Sequence, residues 1–147
     1  MLNKSGNLIG AIESYRKVIK IDPKLSEAYF NLGVALVQTG DTKEAIENYR
    51  QILKIDPNYK AAYFNLGKTL IKTEDVKGAI ENYQQAILID PNYLAAHFEL
   101  ANALLASDAK GSIQHYHRAI EINPKYFKAY NNLGLAIKNT GDFKGSL

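Results

Sequence analysis

Cysteine and tryptophan are absent from this 147-residue chain, methionine occurs once and proline only four times. Without cysteine there are no disulfide staples, thiolate zinc sites or cysteine nucleophiles. Apolar runs are a few residues long, far short of the roughly 20 that cross a bilayer. The first residues lack the apolar stretch of a secretory signal. Charge of one sign is also scarce: 18 Lys+Arg against 15 Asp+Glu leave +3, dispersed along the chain, which argues against a nucleic-acid binder. What is present is 46% hydrophobic and 22% charged, near the globular average, so the chain is not disordered as a whole. A soluble, cytoplasmic protein is expected.

The four prolines are regularly placed. Pro23, Pro57, Pro91 and Pro124 are spaced by 34, 34 and 33 residues, and a fixed period in this range marks a repeat architecture. With proline in slot 32, successive units begin at Ser26, Lys60, Leu94 and Phe127. Slot 7 is leucine throughout (Leu32, Leu66, Leu100, Leu133), and slot 24 is tyrosine throughout (Tyr15, Tyr49, Tyr83, Tyr116). All ten tyrosines fall in slots 4, 24 and 34, and all ten glycines in slots 8, 15 and 19. The units are 1–25 (mainly a second helix), 26–59, 60–93, 94–126 and 127–147, the first and last partial.

Each complete unit reads as two helices. Over 27–38 the apolar residues Tyr29, Leu32 and Leu36 recur at three- and four-residue spacing, which predicts a helix with one buried stripe. Gly40 can take the left-handed conformation that ends it. Asp41 caps the next helix, with Glu44 placed to complete a capping box. The second helix is predicted over 42–55 with Ala45, Ile46, Tyr49, Ile52 and Leu53 inward, and Asp56-Pro57 stops it. In the first partial unit the second helix is predicted over 7–21. Small residues in slots 8 and 20 let the paired helices approach closely. One residue is missing between Leu104 and Lys110, which predicts a tighter turn there. Glycine in slot 19 (Gly10, Gly78, Gly111, Gly145) falls in a helix's first turn, where it costs up to ~1 kcal/mol, and the sequence offers no reason for it.

Tyr29, Leu32, Gly33, Leu36, Gly40, Asp41, Ala45, Tyr49 and Pro57, with their counterparts one period on, resemble the tetratricopeptide repeat (TPR) family along essentially the whole chain. The resemblance implies an all-α fold, a right-handed solenoid of stacked antiparallel helix pairs. It also implies a concave groove lined by the first helix of each unit, through slots 2, 5, 6, 9, 12 and 13. Those slots assign Phe30, Asn31, Phe64, Asn65, Lys68, Lys72, Phe98, Asn102, Lys128, Asn131 and Asn132 to a peptide-binding surface. The asparagine row is similar to that in the TPR superhelix of O-linked N-acetylglucosamine transferases, where asparagine amides hold a peptide backbone. Glu99 interrupts the row. The same aromatic and asparagine slots can equally serve as framework between units, and both readings stand at this point. Groove charges (Glu27, Lys68, Lys72, Glu99, Lys128, Lys138) are four positive to two negative, a mild bias toward an acidic or neutral peptide, although scattered lysines are also common as solvated surface. The cation set by which some family members grip a C-terminal carboxylate is missing.

The expected function is therefore a protein–protein interaction scaffold that binds a peptide or protein segment without catalysis. The alternative is a substrate-recognition or self-assembly arm of a larger enzyme such as a glycosyltransferase. No nucleophile–base pair, phosphate-cradling loop or inward carboxylate pair occurs. No cofactor is expected, nor a metal: His115 and His117 lie two apart on a helix and face different ways, and His97 replaces a slot-4 tyrosine. No nucleic-acid or membrane partner is expected. The uncapped terminal units suggest a segment of a longer array, or end-to-end self-association. Replacing Phe30, Phe64 and Phe98 together with alanine is expected to abolish capture without unfolding.

Overall fold

Helix boundaries follow the slot pattern closely in the computed structural model, which describes residues 4–141. Eight helices occur in order: α1 (Lys4–Ile21), α2 (Ser26–Thr39), α3 (Thr42–Ile55), α4 (Lys60–Lys72), α5 (Val76–Ile89), α6 (Leu94–Leu104), α7 (Ala109–Ile122) and α8 (Phe127–Thr140). No strand occurs among the described residues. The chain is all-α, built from antiparallel helix pairs as TPR solenoids are. It divides into two compact units, Met1–Glu74 and Asp75–Leu147.

In the first unit α1 packs on α2, α2 on α3 and α3 on α4. Leu36, Tyr49 and Ile52 are almost wholly buried there, with Ala45, Ala62 and Leu66 around them. Gly33 shows why slot 8 is small: a Cβ at this position would stand 2.7 Å from Cε1 of Tyr49. The slot-24 ring occupies the space that glycine leaves. In the second unit α5 packs on α6, α6 on α7 and α7 on α8. Its core joins Phe98, Ala101, Tyr116, Ala119, Ala129, Leu133 and Ala136. Ser112 stands where the earlier units have Ala11, Ala45 and Ala79, and its buried hydroxyl donates to the Ala101 carbonyl at 2.7 Å. Slot 20 of one helix therefore rests directly on the slot-8 backbone of its mate.

The proline stops work as predicted, with an addition. Asp56, Asp90 and Asn123 are extended at the helix ends. Each also accepts on Oδ1 the backbone N–H two residues on, that of Asn58, Asn92 or Lys125 at 3.0–3.1 Å. This side-chain turn holds the short link to the next helix. The shortened turn after α6 closes with Asp108 N–H on the Leu104 carbonyl at 2.7 Å, without a left-handed residue.

Three expectations are corrected. The helix predicted over 7–21 begins earlier, at Lys4, and runs through Gly6 and Gly10, since glycine accepts right-handed as well as left-handed backbone. The capping box at Asp41 and Glu44 does not form. Asp41 makes no side-chain cap bond and instead accepts from Thr39 Oγ1 at 2.8 Å. Glu44 is held by Arg16 of α1, with Nη2 at 2.7 and 2.8 Å from its two oxygens. Slot-19 glycine gains a reason: Asp75 and Asp108 accept the N–H of Gly78 and Gly111 at 2.9 and 3.0 Å. Each carboxylate lies where a Cβ on that glycine would sit. Gly145 lies outside the described residues.

Candidate functional site

Packing α2 and α4 on either side of α3 leaves a concavity of about 180 Å³ in the first unit. Val34, Val37 and Gln38 of α2 form one wall, and Asn65, Lys68, Thr69 and Lys72 of α4 form the other. Tyr49 of α3 contributes the edge of a ring that is otherwise in the core. Asn65 Nδ2 lies 3.5 Å from the Tyr49 hydroxyl. Burial raises the pKa of that hydroxyl and the Asn65 contact lowers it in part, so the phenol stays neutral and can accept from the amide. Thr69 bonds its own helix at the Asn65 carbonyl, 2.8 Å away.

Of the predicted site residues, Asn65, Lys68 and Lys72 are brought together here. Phe64 lies beneath Lys68, whose Nζ is 5.5 Å from the ring centroid, a cation–π arrangement. Phe30 is half-buried on two framework rings, Tyr49 at 6.0 Å and Tyr59 at 5.6 Å. Asn31 is half-buried nearby in α2. The sequence did not assign Val37, Gln38, Thr69 or the framework residue Tyr49 to the groove. Slot 12 and slot 13 of α2 were the available signal, since the same slots supplied Lys72 in α4.

In the second unit the predicted residues are tied more to one another. Asn102 Oδ1 accepts both the Tyr116 hydroxyl and Asn132 Nδ2, the latter at 2.8 Å. Phe98 is only 8% exposed and packs edge-on against Tyr116 and Tyr126, with centroids 6.0 and 5.0 Å away. Alanine at Phe98 would open a core cavity at a cost of about 3–5 kcal/mol, so the triple phenylalanine variant cannot leave folding untouched. Lys128 and Asn131 are exposed on α8. Burial, and secondarily the charge of Glu99, push the Tyr83 and Tyr126 hydroxyls upward.

The histidines are also placed. His97 is buried, and its Nε2 lies 2.8 Å from the Pro91 carbonyl, as the Tyr29 hydroxyl lies 2.9 Å from that of Pro23. A carbonyl only accepts, so Nε2 carries the proton and Nδ1 of the neutral ring is an acceptor. His115 Nδ1 stands 3.0 Å from it, with ring centroids 5.2 Å apart. That centroid distance is close to the N···N distance plus the two ring radii, so the rings meet end-on in an N–H···N bond with no room for an ion between them. No cluster of three or more metal-ligating side chains exists among the described residues. No described helix is long and apolar enough to cross a membrane.

A family model for the TPR repeat matches residues 1–40, 35–74, 67–108 and 106–141. The chain belongs to the TPR repeat family. No curated protein matches this TPR chain. Among solved structures, the crystal structure of MamA is 28% identical with a TM-score of 0.88, covering 96% of this chain and 86% of that one. YrrB, a TPR protein with an unusual peptide-binding site, is 23% identical with a TM-score of 0.81, covering 92% and 70%. The first TPR of Spaghetti (RPAP3), bound to HSP90 peptide SRMEEVD, is 20% identical with a TM-score of 0.76, covering 79% and 93%. The last two likenesses bear on the fold alone.

Proposed function

We propose that this TPR chain is a protein-interaction scaffold that holds a peptide or protein segment against the first helices of its repeats and catalyses nothing itself. The observation that carries the reading is the concavity between α2 and α4, six of whose eight lining residues come from slots 6, 9, 12 and 13, by which TPR proteins face a ligand. Its apolar wall and amide-bearing opposite wall suit a main chain with side chains on both faces. Asn31 and Phe64 extend this surface in the first unit. In the second unit Lys128, Asn131, Asn132 and the amide of Asn102 offer polar contacts, while Phe98 has little area left for a ligand. That solved TPR structures include one with a bound peptide supports the class of partner, not its identity.

The test is a displayed library of random peptides selected on the full chain, with the recovered binders measured on Asn65→Ala/Lys68→Ala/Lys72→Ala. Loss of most of the binding is expected. Retained affinity on that variant, with its melting temperature unchanged, would remove the site from the function. A second reading, self-association, is favoured by a separate observation: one face of α8 exposes Phe127 by 71%, Tyr130 by 46% and Ile137 by 38%.

A further inference from the structure

The first-unit concavity has a chemical preference beyond its shape. No carboxylate lines it, whereas Lys68 and Lys72 stand one turn apart on its α4 wall. Both are exposed, and neither forms an ion pair with a described residue. Like charges four residues apart on a helix repel. Lys72 has an intrahelical reason to be there, since it lies in the last turn, where free carbonyls favour a cation. Lys68 lies a turn too early for that benefit, and its ammonium is positioned over Phe64 at the rim of the concavity. Across from both, Val34 and Val37 make an apolar wall.

We infer that the site takes an extended peptide in which two acidic residues flank one apolar residue. This deepens the scaffold reading above and rests on it. The lysine Cα atoms are about 6 Å apart along α4, from the rise of an α-helix. In an extended strand, side chains two residues apart point to the same face and lie about 6.6 Å apart, while the one between points to the opposite face. A strand lying between α2 and α4 therefore directs its two carboxylates to Lys68 and Lys72 and its middle side chain to Val34 and Val37. Asn65 and Gln38 supply amides that can both donate to and accept from the strand's backbone. Neither lysine acts as a clamp for a chain terminus, so an internal segment suffices.

The experiment titrates the full chain, ¹⁵N-labelled, with three capped heptapeptides of sequence Gly-Ser-X-Leu-X-Ser-Gly, where X is Glu, Gln or Lys. At low salt the Glu peptide is expected to bind at least 10-fold more tightly than the Gln peptide, and the Lys peptide not at all. Its shifts should centre on the amides of Val34, Val37, Asn65 and Lys68. The preference should shrink toward unity in 0.5 M salt and in Lys68→Gln/Lys72→Gln, whose helical circular dichroism should match that of the natural chain. Equal affinity for the Glu and Gln peptides at the same amides overturns the acidic preference and leaves the scaffold reading intact. Binding centred on the first helices of the second unit overturns this site and leaves the scaffold reading, and binding centred away from every first helix overturns both. No binding of any of the three at millimolar peptide overturns the acidic preference, and the library selection still judges the scaffold.

Discussion

At the scale of single residues, His97 and His115 are a joint departure from the repeat. The equivalent slots pair Tyr29 with Asn48 and Tyr63 with Asn82. His97 keeps the tyrosine's bond to the proline carbonyl, and its other nitrogen faces His115. The sequence hid this pair because its members are 18 residues apart on different helices, whereas His115 and His117, close in sequence, diverge. Burial lowers the proton affinity of His97, Arg118 lowers it further, and the Pro91 carbonyl and Asp90 oppose the shift. Burial and then His97 lower that of His115, against Asp108. Both imidazoles thus bind protons less readily folded than unfolded. Once pH falls below about 6.5, the ordinary histidine value, the unfolded chain takes up more protons than the folded one, and stability drops as pH decreases. Thermal melts at pH 7.5 and 5.5 should show a larger fall for the natural chain than for His97→Tyr/His115→Asn, which restores the pairing of the other repeats. An equal fall in both proteins would show that the pair is not what titrates.

At the scale of elements, the inter-helix turns separate what could be read from what could not. Helix spans, proline stops and the buried tyrosine and leucine slots were legible because they depend on spacing along one helix. The capping box was not, because Glu44 is claimed by Arg16, 28 residues away, and no local window contains both. Slot 15 shows the same limit. Gly40 and Gly141 are left-handed there, at φ 88° and 75°, and Glu74 is forced into the same conformation at φ 65°. A side chain with a Cβ costs about 1–2 kcal/mol in that region, so Glu74→Gly should stabilise the chain by about 1 kcal/mol in urea unfolding despite glycine's greater unfolded freedom. The slot-19 glycines give a matched pair. Gly10 has no heavy atom within 4 Å of the place a methyl group would take, so Gly10→Ala should gain up to ~1 kcal/mol of helix propensity. Gly111→Ala should show no such gain, because the new Cβ displaces the Asp108 cap, worth about 1 kcal/mol. Equal gains at both positions would mean that the cap contributes nothing.

At the scale of the whole molecule, a net charge of only +3 gives copies of the chain little mutual repulsion. The repeat pattern made the fold class legible from end to end, since every unit uses the same slots. Which surfaces stay exposed was not legible, because slot identity fixes the face of a helix on which a residue lies and not how much of that face is covered. Phe127 is an example: it opens α8 as Ser26 opens α2, and it is 71% exposed. With Tyr130 and Ile137 it forms one apolar face, since residues three, seven and ten positions apart lie on the same side of a helix. Contiguous apolar area of this kind is a site of association. If copies meet there, sedimentation velocity from about 5 to 500 μM should show a weight-average mass rising with concentration. Phe127→Lys/Tyr130→Lys should hold the chain at the monomer mass of 16.4 kDa across that range, and the helical circular dichroism should not change, because neither side chain is part of the buried core. A natural chain that stays monomeric at the upper concentration rules out self-association through this face.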